Sequence, residues 1–164
     1  MHMKRYLLLL ILVSVPVIGM AKDVVGWTEK AVIHPGGLEV RAKVDTGAKT
    51  SSLNCECREF FNKNGEQWLR FSVINYEGEK IWLEKKVLRM VTIKRHFGGV
   101  QERPVIRLGV CLGGVYRDTE VNVIDRSGLK YQMLIGRKFL DDKFLVDSSA
   151  QFINPPHCDI KVGE

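Results

Sequence analysis

The stretch Leu38-Glu39-Val40-Arg41-Ala42-Lys43-Val44-Asp45-Thr46-Gly47-Ala48 ends an alternating segment in a turn built on an acid. Leu38, Val40, Ala42 and Val44 alternate with Glu39, Arg41, Lys43 and Asp45, the period of a half-buried strand with Asp45 on its polar phase. After it, Thr46 brings a hydroxyl that can bond locally and Gly47 a residue free to take positive φ, so the carboxylate can be held rigidly on a tight turn. A fixed carboxylate is what acid–base chemistry requires. Taken alone, the tripeptide also reads as an ordinary strand-end turn.

Working outward, a second stretch adds to the first. Tyr131-Gln132-Met133-Leu134-Ile135-Gly136-Arg137-Lys138-Phe139-Leu140 is an apolar run that ends in a glycine and then opens a short amphipathic piece. VDTGA, and about ninety residues on LIGRKFL, together resemble the two signatures of retropepsin-like aspartic proteases. More closely, VDTGAKTSSL, the ERPVI of Glu102 to Ile106, and LIGRKFL followed by LVD resemble the bacterial retropepsin-like family once labelled ATP-dependent zinc proteases. The likeness spans roughly Leu38 to Phe152.

That resemblance implies an all-β fold, a small closed acid-protease barrel with a flap hairpin and one short helix. It makes Asp45 catalytic, Thr46, Gly47 and Ala48 its active-site turn, and Leu134, Ile135, Gly136 and Arg137 the second signature. His96, Phe97, Gly98 and Gly99 then lie near the tip of the flap, the hairpin that closes over a peptide and excludes water. A Thr or Ser just past the turn would join the hydrogen bonds around the carboxylate, with Thr50, Ser51 and Ser52 all eligible. Retroviral relatives often carry an Asp after Asp-Thr-Gly-Ala that pairs with the arginine of the helix. Lys49 stands there instead, so Arg137 is expected to find another partner, such as a Glu or Asp elsewhere. Neither His-Glu-x-x-His nor Gly-x-x-x-x-Gly-Lys-Ser/Thr occurs, so the older zinc and ATP label has no support in the residues.

The local patterns agree with many short strands. Pro35-Gly36-Gly37 turns a hairpin from Ala31–His34 into the Asp45 strand, after a polar entry from Lys22 to Lys30. His34 beside that turn reads as a polar cap or an exposed residue. Asn64-Gly65, Glu77-Gly78, Gly98-Gly99 and Gly113-Gly114 mark further hairpins, Arg137 to Asp142 the helix, and 144–147 and 151–153 two closing strands. Six to nine strands result.

At 164 residues the chain supports one compact domain. Lys4-Arg5, the apolar run Tyr6 to Met20, and the small residues Gly19 and Ala21 read as a secretory signal, residues 1–21, ahead of a single domain at 22–164. Cleavage would lower the net charge from +6 to +4 and leave no stable membrane span. The expected location is exported, periplasmic or secreted. The basic residues are scattered among acids with no aromatic interleaving, which excludes a nucleic-acid surface. Export would let Cys55, Cys57, Cys111 and Cys158 form one or two disulfides. The one-residue spacing of Cys55 and Cys57 disfavours their mutual bond, and the sequence does not choose among the rest. A metal site of Cys55, Cys57, His157 and Cys158 matches no standard zinc spacing, so no metal or other cofactor is expected.

Amide cleavage by carboxylates takes two that share a proton, because like charges a few ångström apart do not both ionise. This chain carries one Asp-Thr-Gly. The expected function is therefore an exported aspartic endopeptidase acting on a peptide or protein substrate, its carboxylate pair completed by a homodimer. The alternative is a monomeric module of the same fold that binds a peptide or envelope protein without cutting it.

Overall fold

The computed structural model describes residues 21–94, 99–125 and 128–159. Among them are eleven strands and one short helix: β1 (Asp23–His34), β2 (Leu38–Val44), β3 (Ser51–Asn54), β4 (Glu56–Lys63), β5 (Glu66–Ile74), β6 (Lys80–Lys86), β7 (Arg89–Lys94), β8 (Val100–Leu112), β9 (Val115–Ile124), β10 (Met133–Ile135), α1 (Arg137–Leu140) and β11 (Phe144–Gln151). The main sheet runs β11-β1-β2-β10-β3-β9-β8-β7, and β1 also pairs with β8. That second pairing, from Ala31 opposite Leu112 to His34 opposite Gly109, closes six strands into a barrel. β7 and β11 flank it.

Closure depends on β1, which serves three neighbours along its twelve residues. Its first part lies parallel to β11 and its second part antiparallel to β2, with a register shift between Gly26 and Thr28 where the strand changes partner. Gly26 is required there, because a Cβ would stand 2.4 Å from the carbonyl oxygen of Ala150. The barrel interior is filled by alternate residues such as Ile33, Val40, Leu108, Val110, Val121 and Ile135, all fully buried. Outside the ring, β4, β5 and β6 form a separate antiparallel sheet. Leu69, Phe71, Val73 and Leu83 of that sheet join the same apolar core.

The expected polar entry at Lys22–Lys30 is instead the start of β1, with Thr28 and Glu29 fully buried. A carboxylate so placed needs donors. Glu29 accepts N–H bonds from Gly26 at 2.7 Å, Ile153 at 3.2 Å and Asn154 at 3.3 Å, which bind the C-terminal segment to β1. The two expected closing strands are one, β11, ended by Phe152 in the left-handed region at φ 54°. Of the one or two bridges expected, the described residues show Cys111 to Cys158, which ties that same segment to the end of β8. Cys55 lies buried in the core, and the side chain of Cys57 lies outside the described residues. With Cys158 bonded to Cys111, and His157 Nδ1 at 2.8 Å from the Pro155 carbonyl, the four-residue metal arrangement is not assembled. Among the described residues no helix is long and apolar enough to cross a bilayer, and residues 1–20 lie outside the description.

Candidate active site

Asp45 stands where β2 leaves the sheet, and it is fixed from both ends. Its N–H donates to the Ile135 carbonyl at 2.9 Å, continuing the parallel pairing of β2 with β10 by one residue. Its carboxylate Oδ1 accepts the N–H groups of Gly47 at 2.9 Å and Ala48 at 3.2 Å. Two main-chain donors on one oxygen set the orientation of the carboxylate without help from any mobile side chain. Gly47 serves here through small size rather than the positive φ expected for it: a Cβ would stand 3.1 Å from Oδ1, and its backbone is outside the left-handed set. Thr46 and Gly47 are exposed, and Asp45 is half-buried.

The second signature lies directly beneath this turn. β10 is inserted between β2 and β3, parallel to the first and antiparallel to the second, so Leu134 faces Lys43 on one side and Ser52 on the other. Gly136 then passes so close to the turn that a Cβ would meet Thr50 C at 2.8 Å and the carbonyl oxygens of Ala48 and Thr50 at 3.0 Å. Its N–H donates to Ser51 Oγ at 3.1 Å, which picks Ser51 from the three hydroxyl residues open in the sequence. The next two N–H groups, of Arg137 and Lys138, donate to the carbonyls of Ala48 at 2.9 Å and Lys49 at 3.0 Å. Asn122 of β9 donates from Nδ2 to the Ser51 carbonyl at 2.9 Å, tying the strand next to β3 to the same floor.

Arg137 finds its other partner in the backbone rather than in a Glu or Asp side chain. Its guanidinium Nη1 donates to the main-chain carbonyls of Thr46 at 2.9 Å and Gly47 at 2.7 Å, not to a carboxylate. The arginine braces the turn through backbone oxygens, which no side-chain substitution can remove.

The hairpin of β7 and β8 is paired from Arg89 opposite Val105 to Lys94 opposite Val100. Its stem exposes Met90, Ile93 and Val100, the last by 67%. Of the expected flap residues, Gly99 is present in the left-handed region at φ 88°, while His96, Phe97 and Gly98 lie outside the described residues. His34 is distant from this chemistry in role: its ring packs edge-on against Tyr116 at 5.9 Å, and burial lowers its pKa.

Charged residues that the sequence did not single out surround the helix. Arg117 of β9 donates to the carbonyls of Phe139 at 2.9 Å and Asp141 at 3.0 Å, closing the C-terminal end of α1. Glu120, on the same strand, receives both guanidinium nitrogens of Arg89 at 2.6 and 2.9 Å and the ammonium of Lys138 at 2.8 Å. Arg89 and then Lys138 hold its carboxyl down at about 2. The folded pKa lies below the unfolded one, so this contribution to stability is complete above the ordinary carboxylate range and is lost as pH falls towards 2. An i to i+3 pattern of Arg117 and Glu120 on an exposed strand carries no signal of its own, which is why only the structure reveals both.

The family model for the RimB-like group, described as retropepsin-like aspartic endopeptidase RimB, matches residues 24–157. A protein named "Probable alpha-L-glutamate ligase" from Shewanella halifaxensis is 32% identical over 128 residues, 76% of this chain and 28% of that one. One of the same name from Desulfotalea psychrophila is 29% identical over 80% of this chain and 29% of its own length. The chain thus spans under a third of the curated relatives it matches. A solved Legionella pneumophila protein of unknown function is 30% identical, with a TM-score of 0.69, over 81% of this chain and 98% of that one.

Proposed function

The chain belongs to the RimB-like family of retropepsin-like aspartic endopeptidases, and from that premise we propose that it hydrolyses peptide bonds as a homodimer in which two copies of Asp45 share one proton. The observation that carries this is the state of the Asp45 turn. A carboxylate oriented by two N–H groups and braced by Arg137, yet exposed at Thr46 and Gly47, is half of an acid–base pair presented at a surface. Beside it, a cleft of about 320 Å³ is lined by Thr46, Arg137, Leu140, Phe144, Leu145 and Val146, a partly apolar face for the second copy to cover.

In the pair, the ionised Asp45 takes a proton from water as the water oxygen attacks the peptide carbonyl carbon. The protonated Asp45 gives its proton to the carbonyl oxygen. In the collapse of the resulting gem-diol, the protonated Asp45 gives its proton to the amide nitrogen while the ionised Asp45 takes one from a gem-diol hydroxyl. The C–N bond breaks to a carboxylic acid and an amine, and the pair again holds one shared proton. Glutamate-containing peptides are the first substrates to try, because chains named as alpha-L-glutamate ligases contain a segment like this one. Export agrees with the Cys111–Cys158 bond, a kind that persists in oxidising compartments.

The test is cleavage of glutamate-rich and mixed peptides at acidic and neutral pH, across a range of protein concentrations, with Asp45→Asn alongside and a chelator as control. The expected rate rises faster than linearly with concentration, survives chelation and falls by at least about a thousandfold in Asp45→Asn. Equal signals from both proteins, with a monomer throughout, would leave a peptide-binding module and remove the endopeptidase.

A further inference from the structure

Outside the catalytic turn, the densest set of interacting charges tied to the site is the one around Glu120, and the proposed chemistry does not use it. Its three members come from three elements with different duties. Arg89 is the first residue of β7, the outer strand of the flap hairpin; Glu120 lies on the barrel strand β9; Lys138 is the second residue of α1. The contact to Arg89 is bidentate, which fixes the relative orientation of the two side chains as a single point charge would not. The contact to Lys138 reaches a residue whose N–H is already bonded to the Lys49 carbonyl, next to Arg137, whose guanidinium holds Thr46 and Gly47.

We infer that Glu120 is a positioning residue that couples the base of the flap hairpin to the catalytic turn through α1. The path is short and made of consecutive contacts: Arg89 to Glu120, Glu120 to Lys138, Lys138 and Arg137 to the turn. Arg117 strengthens it by fixing the other end of α1 to the same strand β9, so the helix does not yield when Lys138 is pulled. A displacement of the hairpin base on substrate closure is thereby transmitted to the carboxylate's support rather than absorbed at the surface. As far as it concerns turnover, this coupling rests on the endopeptidase proposal above.

Two readouts separate the failures. In Glu120→Gln, which keeps the size and loses the charge, kcat should fall by about tenfold with KM within about twofold. Amide hydrogen exchange of the same full-length protein should quicken together in β7 and at Arg137 and Lys138. A double-mutant cycle of Arg89→Met and Lys138→Met should be non-additive in both measurements. Exchange that quickens in only one of the two segments, or strict additivity in the cycle, overturns the coupling and leaves two separate surface ion pairs. Coupled exchange without any cleavage by the wild type would retain the tie and sink the endopeptidase instead. Glu66→Gln, which removes the surface contact with Lys86, is the control that should move neither readout.

Discussion

The floor beneath Asp45 and the β7–β8 hairpin are built on opposite principles, although both belong to the same main sheet. In the floor, the polar groups of the turn are met mostly by main-chain atoms: Asp45, Gly47, Ala48, Gly136, Arg137 and Lys138 all contribute N–H groups to bonds within a few residues of the carboxylate. In the hairpin, the ladder of β7 and β8 is complete, but Met90, Ile93 and Val100 face solvent. A floor of that kind has one arrangement. A hairpin with exposed apolar groups has surface left to bury, and a peptide laid across the floor is the natural object to bury it against. The contrast teaches where precision and where adaptability reside, and three substitutions probe it in order of effect.

The strongest blow to the floor is Gly136→Ala. The added Cβ would lie 2.8 Å from a main-chain carbon of Thr50 and 3.0 Å from two carbonyl oxygens, and backbone atoms cannot rotate away as a side chain would. We expect a loss of about 3 kcal/mol in urea unfolding together with abolished cleavage. A variant within about 0.5 kcal/mol of wild type would mean that the floor is far softer than its contacts imply.

Arg137→Met comes next and divides stability from function. Removing the guanidinium leaves the Thr46 and Gly47 carbonyls exposed to water rather than buried, so the expected cost is only about 1–2 kcal/mol. The turn loses its brace, and cleavage should fall by about a hundredfold while the unfolding midpoint drops only by the few degrees that about 1–2 kcal/mol implies. Equal proportional losses in both measurements would make Arg137 a fold residue and erase its special place in the floor.

Much of this contrast was readable from residues. The alternation ending at Asp45, and the apolar run ending at Gly136, identify the two strands that meet in the floor, because a period of two and a glycine at a close approach leave sequence traces. The partner of Arg137 was not readable. A guanidinium that bonds backbone carbonyls needs no particular residue opposite, so nothing in the sequence marks Thr46 and Gly47 as its acceptors. Glu29 misled for a related reason: its acid suggested a polar entry, yet its donors are N–H groups 124 and 125 residues away as well as the nearby Gly26. Glu120 was invisible because a tie among two strands and a helix is a property of topology. Ser51 could be narrowed to a triplet and no further, since the choice among 50, 51 and 52 is set by which hydroxyl faces Gly136.

The smallest effect on stability, and the sharpest test of the hairpin's side of the comparison, belongs to Val100→Ser. Val100 is 67% exposed and opposes Lys94 at the end of the ladder, so in the free protein its methyl groups bury little and a serine should change unfolding by less than about 0.5 kcal/mol. If the hairpin closes over a peptide as the family resemblance implies, the same methyl groups leave water, and each buried CH₂ equivalent contributes about 0.8 kcal/mol. Their loss should therefore appear in KM, raised by about three- to tenfold, with kcat held, because the chemistry at Asp45 is supported from below. Ile93→Ser should behave alike and Leu129→Ser, exposed at 58% and outside the β7–β8 hairpin in the chain, should not. If kcat fell and KM stayed, Val100 would act on the carboxylate through the hairpin base and its tie to Glu120 rather than on the peptide, and the adaptable part of the hairpin would shrink to less than its exposed apolar face.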